Sequence, residues 1–204
     1  MRFRPLLLLL LAAVPLAHAT TVVPPSFPEL VAKADAIYRG RVTSVEARRV
    51  DRADGGGQVI KTFVTFTVER VLKGGERAEV VLEFLGGTVG DETLSVSGMP
   101  TFAVGQREIV FVRRNGVQFC PLVAMMHGRY HVKHDNAAGR DFVARDDGAP
   151  LTDVSDVQQP MHEAAPPARS TAAAPAVTNA LTPGAFETSI VSEVQRPTPH
   201  ARLN

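Results

Sequence analysis

Ile60-Lys61-Thr62-Phe63-Val64-Thr65-Phe66-Thr67-Val68-Glu69 is the stretch whose reading decides the fold. Ile60, Thr62, Val64, Phe66 and Val68 face one way; Lys61, Phe63, Thr65, Thr67 and Glu69 face the other. A period of two marks a half-buried strand. β-branched and aromatic residues also suit a pleated, half-buried surface. Upstream, Tyr38, Gly40 and Val42 alternate with Arg39, Arg41 and Thr43, which predicts a strand from Ala36 to about Arg48. Asp54-Gly55-Gly56-Gly57 between the two is a turn signal. The two strands are expected to pair as a long antiparallel hairpin.

Working outward, Lys73-Gly74-Gly75 turns the chain again, and Val80, Leu82 and Phe84 alternate with Glu79, Val81 and Glu83 to give a third strand. Residues 86–105 read as irregular, with a short strand around Leu94 and Val96. Ile109-Val110-Phe111-Val112 is an apolar run that suits a strand buried on both faces. Asn115-Gly116 is a hairpin signal. It predicts further strands over 117–123 and 129–133, and Phe142-Val143 adds an edge. Before the first strand, Ser26 and Glu29 form a capping box with Pro28 in the first turn, which predicts a short helix to about Ala34.

After Asp147 the composition changes. Residues 148–180 read as an Ala/Pro-rich flexible linker, too poor in apolar surface to offset the entropy of ordering. Over 181–196, Thr182 can cap a helix, Pro183 takes its first position, and Phe186, Ile190 and Val194 form a stripe that either docks on the domain or meets a partner. The expected architecture is mainly β. It is a small OB-like antiparallel barrel of five or six strands over 26–147, with a short helix before it and a C-terminal helix after the linker.

Residues 1–19 read as a secretory signal peptide. Arg2 and Arg4 are the positive n-region, 6–16 the apolar core, and Ala17-His18-Ala19 the cleavage site. The apolar run is too short for a span of about 20 residues. The expected location is periplasmic or secreted, with no stable membrane span in the mature chain. Cleavage after Ala19 removes two arginines and leaves 20 basic against 21 acidic residues. That balance gives no bulk attraction to nucleic acid or to anionic membrane, and no nucleic-acid partner is expected. Cys120 is the only cysteine, so the fold rests on its apolar core. Its apolar setting points to a buried, inert thiol.

The familiar chemistries lack parts. His127, His131, His134 and Asp135 could be drawn as metal ligands, but on a strand His127 and His131 stand roughly 13 Å apart at about 3.3 Å per residue. No metal or cofactor is expected. Gly86-Gly87-Thr88-Val89-Gly90 follows a strand, yet Asp91-Glu92 and a second strand follow it, so it reads as a glycine turn and not a phosphate cradle. No G-x-S-x-G elbow is present to raise Ser95 or Ser97 as a nucleophile. Glu79, Glu83, Asp91 and Glu92 read as solvated carboxylates, and Arg39, Arg41 and Lys61 beside Phe63 as a solvated basic face. No catalytic residue is assigned.

One pattern resembles a known group. Leu30-Val31, Ala34-Asp35-Ala36-Ile37, Gly40-Arg41-Val42 and Val68 are followed by Val71-Leu72-Lys73-Gly74 and then by Gly86-Gly87, Gly90, Val96, Gly98-Met99-Pro100, Phe102 and Gly105. Phe111-Val112 and Gly128-Arg129-Tyr130 close the pattern. Over about residues 29–133 this resembles a family of uncharacterised exported bacterial proteins. The opening strand is also similar to the netrin/tissue-inhibitor-of-metalloproteinase type of OB-like barrel. That inhibitor family chelates its target's zinc through an N-terminal Cys. Here the expected mature N-terminus is Thr20-Thr21-Val22, so that device is absent.

What remains is the loop 86–105, long enough to be functional. Gly86, Gly87, Gly98, Met99, Pro100 and Phe102 are its candidate partner-binding residues. Met99 and Phe102 are either an exposed recognition patch or, in the case of Phe102, a plug for one end of the barrel. The expected function is an exported, non-catalytic binding module for a protein or cell-envelope component. The alternatives are an accessory partner or modulator of an exported protease, and an unrecognised hydrolase.

Overall fold

A computed structural model describes residues 23–52, 54–161 and 177–196. The signal-peptide segment and the centre of the Ala/Pro-rich stretch lie outside them. Helix α1 (Phe27–Lys33) opens the fold. Its capping box forms as the spacing predicts, with the Ser26 backbone N–H donating to Glu29 at 2.9 Å. Its other end is held by Lys73, whose Nζ donates to the carbonyls of Val31 and Ala34 at 2.8 and 2.6 Å. A cation there meets carbonyls that have no partner within the helix.

Strands β1 (Ala36–Asp51) and β2 (Gln58–Lys73) form the expected long hairpin. The register slips at three points, the last at Thr43 between Val42 and Ser44. β3 (Glu79–Leu85) pairs with β2, and Val80, Leu82 and Phe84 are its buried side chains. Two short strands, β4 (Gly87–Val89) and β5 (Glu92–Leu94), pair as a separate small hairpin, while Val96 lies outside any strand. β6 (Arg107–Val112) is buried on both faces, and β7 (Arg129–Asp135) and β8 (Arg140–Arg145) follow. The six long strands form one antiparallel sheet in the order β3-β2-β1-β6-β7-β8. Among the described residues β3 and β8 are not paired with one another.

The expected strand over 117–123 is corrected. This segment is a turn-rich loop joined to β6 only by a single bridge from Val112 to Leu122. Asn115 spends its side chain on β3, accepting from the Glu83 N–H at 3.0 Å and donating to the Val81 carbonyl at 2.7 Å. Asn115-Gly116 is therefore occupied by an edge contact and not by a hairpin ladder.

Helix α2 (Pro183–Gln195) docks on the sheet, with Thr182 accepting from the Ala185 N–H at 3.2 Å. Phe186 and Ile190 are fully buried, while Val194 is exposed. The folded body also extends past Asp147. Leu151 and Val157 are fully buried, and Val157 lies on a 3-10 turn (Val154–Gln158). Composition is a poor guide there because two apolar side chains suffice to anchor the segment.

The sheet has two apolar faces. On one, Ile37, Ile109, Phe111, Tyr130 and Val143 pack against α1, α2 and the turn at Val157. On the other, Val42, Val64, Phe66, Leu82, Phe84 and Val110 pack against Met99, Phe102, Cys120 and Leu122, which come from loops.

Candidate functional site

The loop-covered face holds a cleft of about 380 Å³ between the β1–β3 surface and residues 93–102. Its floor is Val45, Val64 and Phe84; its walls include Leu94, Val96, Met99 and Phe102; and Thr88, Thr93, Ser95 and Thr101 supply hydroxyls. Among the described residues no charged side chain or histidine lines it.

Two glycines set its β3 rim. A Cβ on Gly86 would stand 2.7 Å from the Leu94 carbonyl, and one on Gly87 would stand 2.5 Å from Thr62 Oγ1 and 2.9 Å from Ala47 Cβ. Both also have left-handed backbone, at φ 103° and 131°. Only glycine lets the chain lie this close to the β1–β2 surface while turning into β4. Thr62 Oγ1 then donates to the Gly86 carbonyl at 2.7 Å and ties the rim down.

Phe102 is both a wall and a plug. Its ring is half-buried, 5.7 Å from Phe66 and 5.1 Å from Phe84 between centroids. The Arg129 guanidinium stacks on it at 4.1 Å. Arg129 is buried and also donates to the Thr101 carbonyl at 2.6 Å, to Gln106 Oε1 at 3.2 Å and to Glu108 Oε1 at 3.0 Å. Asp146 Oδ1 lies 3.1 Å from it. Gln106 in turn accepts from the Ala103 N–H at 2.7 Å. One buried cation thus holds the loop's far end to the sheet, where its attraction for the ring is little screened.

Of the carboxylate partners of Arg129, Glu108 is buried and Asp146 is partly buried. Glu108 is fully buried on β6, and His131, its neighbour on β7, places Nδ1 3.1 Å from Glu108 Oε1. His131 Nε2 lies 3.4 Å from the Asp146 carbonyl. Burial raises the Asp146 carboxyl above its ordinary range, against the opposing pull of Arg129 and His131. A carboxylate–histidine pair can orient a general base, but here both ring nitrogens face protein oxygens. Among the described residues no hydroxyl or thiol bonds to either nitrogen. The arrangement fastens a loop to the sheet.

Of the six candidate residues, Gly86, Gly87, Met99, Pro100 and Phe102 line this one cleft. Gly98 does not; a Cβ there would lie 3.4 Å from the Met125 and Met126 methyls. Met99 and Phe102 are half-buried and do not form an open, exposed patch. The three histidines are kept apart. His127 is buried on a 3-10 turn (Met125–Gly128), His131 meets Glu108, and His134 pairs with Asp141 at 2.8 Å. Among the described residues no group of histidine, cysteine and carboxylates could hold a metal. Cys120 is buried, and burial pushes its thiol up to about 11, so it stays protonated near neutral pH. The basic face is neutralised locally, since Arg39 and Arg41 pair with Glu69, and Lys61 with Glu83 at 3.0 Å.

Besides the Glu108–Arg129–His131 cluster, sequence reasoning passed over Phe119 and Glu187. Phe119 is 52% exposed, and its carbonyl accepts from the Leu85 N–H at 2.8 Å, which sets an open aromatic residue beside the cleft's β3 rim. Reading 117–123 as a strand hid it. Glu187 is buried on α2 between Arg39 and Arg70. Only its place beside Phe186 on the helix signals its burial.

No protein-family model matches the chain. A search of curated proteins likewise finds no match.

Proposed function

We propose that the chain is an exported, non-catalytic binding module that takes a neutral, largely apolar part of a protein or cell-envelope partner into the cleft under residues 93–102. The observation that carries this reading is the uncharged lining. Val45, Val64, Phe84, Leu94, Val96, Met99 and Phe102 surround a space whose polar side chains are hydroxyls. Small-ligand sites are concave and mostly apolar, with a few polar groups that fix orientation. Export rests on the N-terminal 1–19 pattern, with a periplasmic or secreted location. An OB-like barrel, and kinship with the exported bacterial family, belong to the same proposal; the bulged β1–β2–β3 meander supports the fold reading. Modulation of a protease has no further observation behind it, and a hydrolase would need the His131–Glu108 pair to face a substrate space.

Ser95 tests the site because it is exposed and lines the cleft. Ser95→Trp should fill the space. The protein is immobilised and exposed to a detergent-solubilised bacterial envelope extract. Retention of envelope components by the wild type should drop about tenfold or more in the variant. Equal retention by both, with the variant folded by circular dichroism, would refute the cleft as the site.

A further inference from the structure

The sheet closes two of its edges and leaves a third stretch open. On β3, the Glu83 N–H and Val81 carbonyl are taken by the Asn115 side chain, and the Leu85 N–H by the Phe119 carbonyl. On β8, the Val143 N–H donates to Leu181 at 2.9 Å, its carbonyl accepts from Leu151 at 2.9 Å, and the Arg145 N–H donates to Ala149 at 2.8 Å. β1 differs. Its pairing with β6 ends at Arg41, and the last backbone bonds on that side join Val42 to Gln106 and Gly105, each at 2.8 Å. Beyond the bulge, residues 43–51 pair with β2 alone. Among the described residues, no other strand or loop backbone bonds to them. An edge of this kind is a template for another strand.

The side chains say which strand fits. The open stretch reads Thr43-Ser44-Val45-Glu46-Ala47-Arg48-Arg49-Val50-Asp51. Laid antiparallel against itself about Ala47, it sets Glu46 of each copy opposite Arg48 of the other, twice over by symmetry. Directly opposed residues in an antiparallel pair lie within reach of one another, and opposite charges there are favourable. Moving the two-fold axis one residue either way sets Glu46 against Glu46 or Arg48 against Arg48, which is repulsive. The small Ala47 stands at the one centre that avoids both clashes. Both charged side chains are exposed, and Arg48 is already laid flat, 3.8 Å over the Phe63 ring.

We propose that this edge joins two copies of the chain. Residues 43–51 of each pair antiparallel about Ala47, making one continuous sheet across a two-fold, isologous interface. Charged edges also serve to repel strands, but a repelling edge has no need of a register that matches its own charges. Pairing through the backbone buries little area, so the dimer is concentration-dependent.

Sedimentation velocity over a concentration series of the purified full chain tests this. The wild type should pass from monomer to dimer. Glu46→Lys should weaken the dimer about tenfold or more, as should Arg48→Glu, and the double variant E46K/R48E should recover most of the loss relative to either single change. Amide exchange of wild-type residues 44–50 should slow as concentration rises, a readout that needs no variant to fold. A wild type that stays monomeric throughout overturns the proposal. So does a dimer indifferent to both charge changes, or amide protection at 44–50 that appears only when another exported protein is added.

Discussion

The two faces of the sheet are covered by different means, and the difference explains where a cleft opens directly on the strands. On the helix-covered face, Phe27, Phe111 and Tyr130 converge on Phe186, with ring centroids 5.0–6.3 Å apart. The helices bring close-packed side chains to the sheet, and the groove of about 440 Å³ on this side runs between α1, α2 and the turn at Val157, with no sheet residue among the described residues of its lining. On the loop-covered face, Phe102 meets Phe66 and Phe84 at one end, but the rest of residues 93–101 arches over the sheet and leaves a space of about 380 Å³. Arg129 ties down the loop's far end beside Phe102, and Met99 and Phe102 rest on the core of this face. The closest aromatic packing lies on one face and the proposed binding cleft on the other.

The sharpest contrast is between two phenylalanines. Phe186→Ala empties a fully buried site and should cost about 3–5 kcal/mol by urea unfolding. Phe102→Ala removes a half-buried ring and should cost clearly less. Equal losses would erase the distinction between the faces. Next comes Arg129→Met, which strips the countercharge from buried Glu108 and should cost about 3 kcal/mol, since breaking a buried pair leaves an uncompensated charge. Hydrogen exchange should quicken at Gly105 and Gln106 in this variant, whereas amides of α2 stay unchanged at mild denaturant. If α2 loosens equally, the buried ion cluster serves the whole fold and not the loop.

The smallest effect concerns pH. Burial, aided by Arg145, lowers the pKa of His127 in the folded protein. Its neutral form is therefore favoured on folding. That contribution is fully present above the unfolded value of about 6.5 and is lost as pH falls through the lowered folded value. Unfolding free energy should decline as pH falls below about 6.5, and His127→Gln should flatten that decline. An unchanged slope would show that His127 is not the group responsible.

Much of the β framework was legible because burial follows chain period. Ile60, Val64 and Phe66 sit buried where alternation puts them, and the Ser26 capping box and the Thr182 cap both form. The loop-covered face was legible only in part. Glycines at 86 and 87 and the length of 86–105 marked the segment, and five of its six candidate residues share a cleft. The buried Glu108–Arg129–His131 cluster was not readable, because its members come from β6 and β7 and meet only through cross-strand register. Alternation also fails at 117–123, where Asn115 and Phe119 serve the β3 edge instead of extending the sheet.

The most direct test of the cleft is where a partner touches. A photoreactive side chain is placed at Ser95, on the rim, and separately at Ser192 on α2, an exposed residue lining the more open groove of about 440 Å³ between α1, α2 and the turn at Val157. After exposure to solubilised envelope extract and irradiation, residue 95 is predicted to yield a discrete adduct that excess unlabelled protein suppresses, and residue 192 to yield none. An adduct from residue 192 alone would place recognition on the helical face and contradict the account.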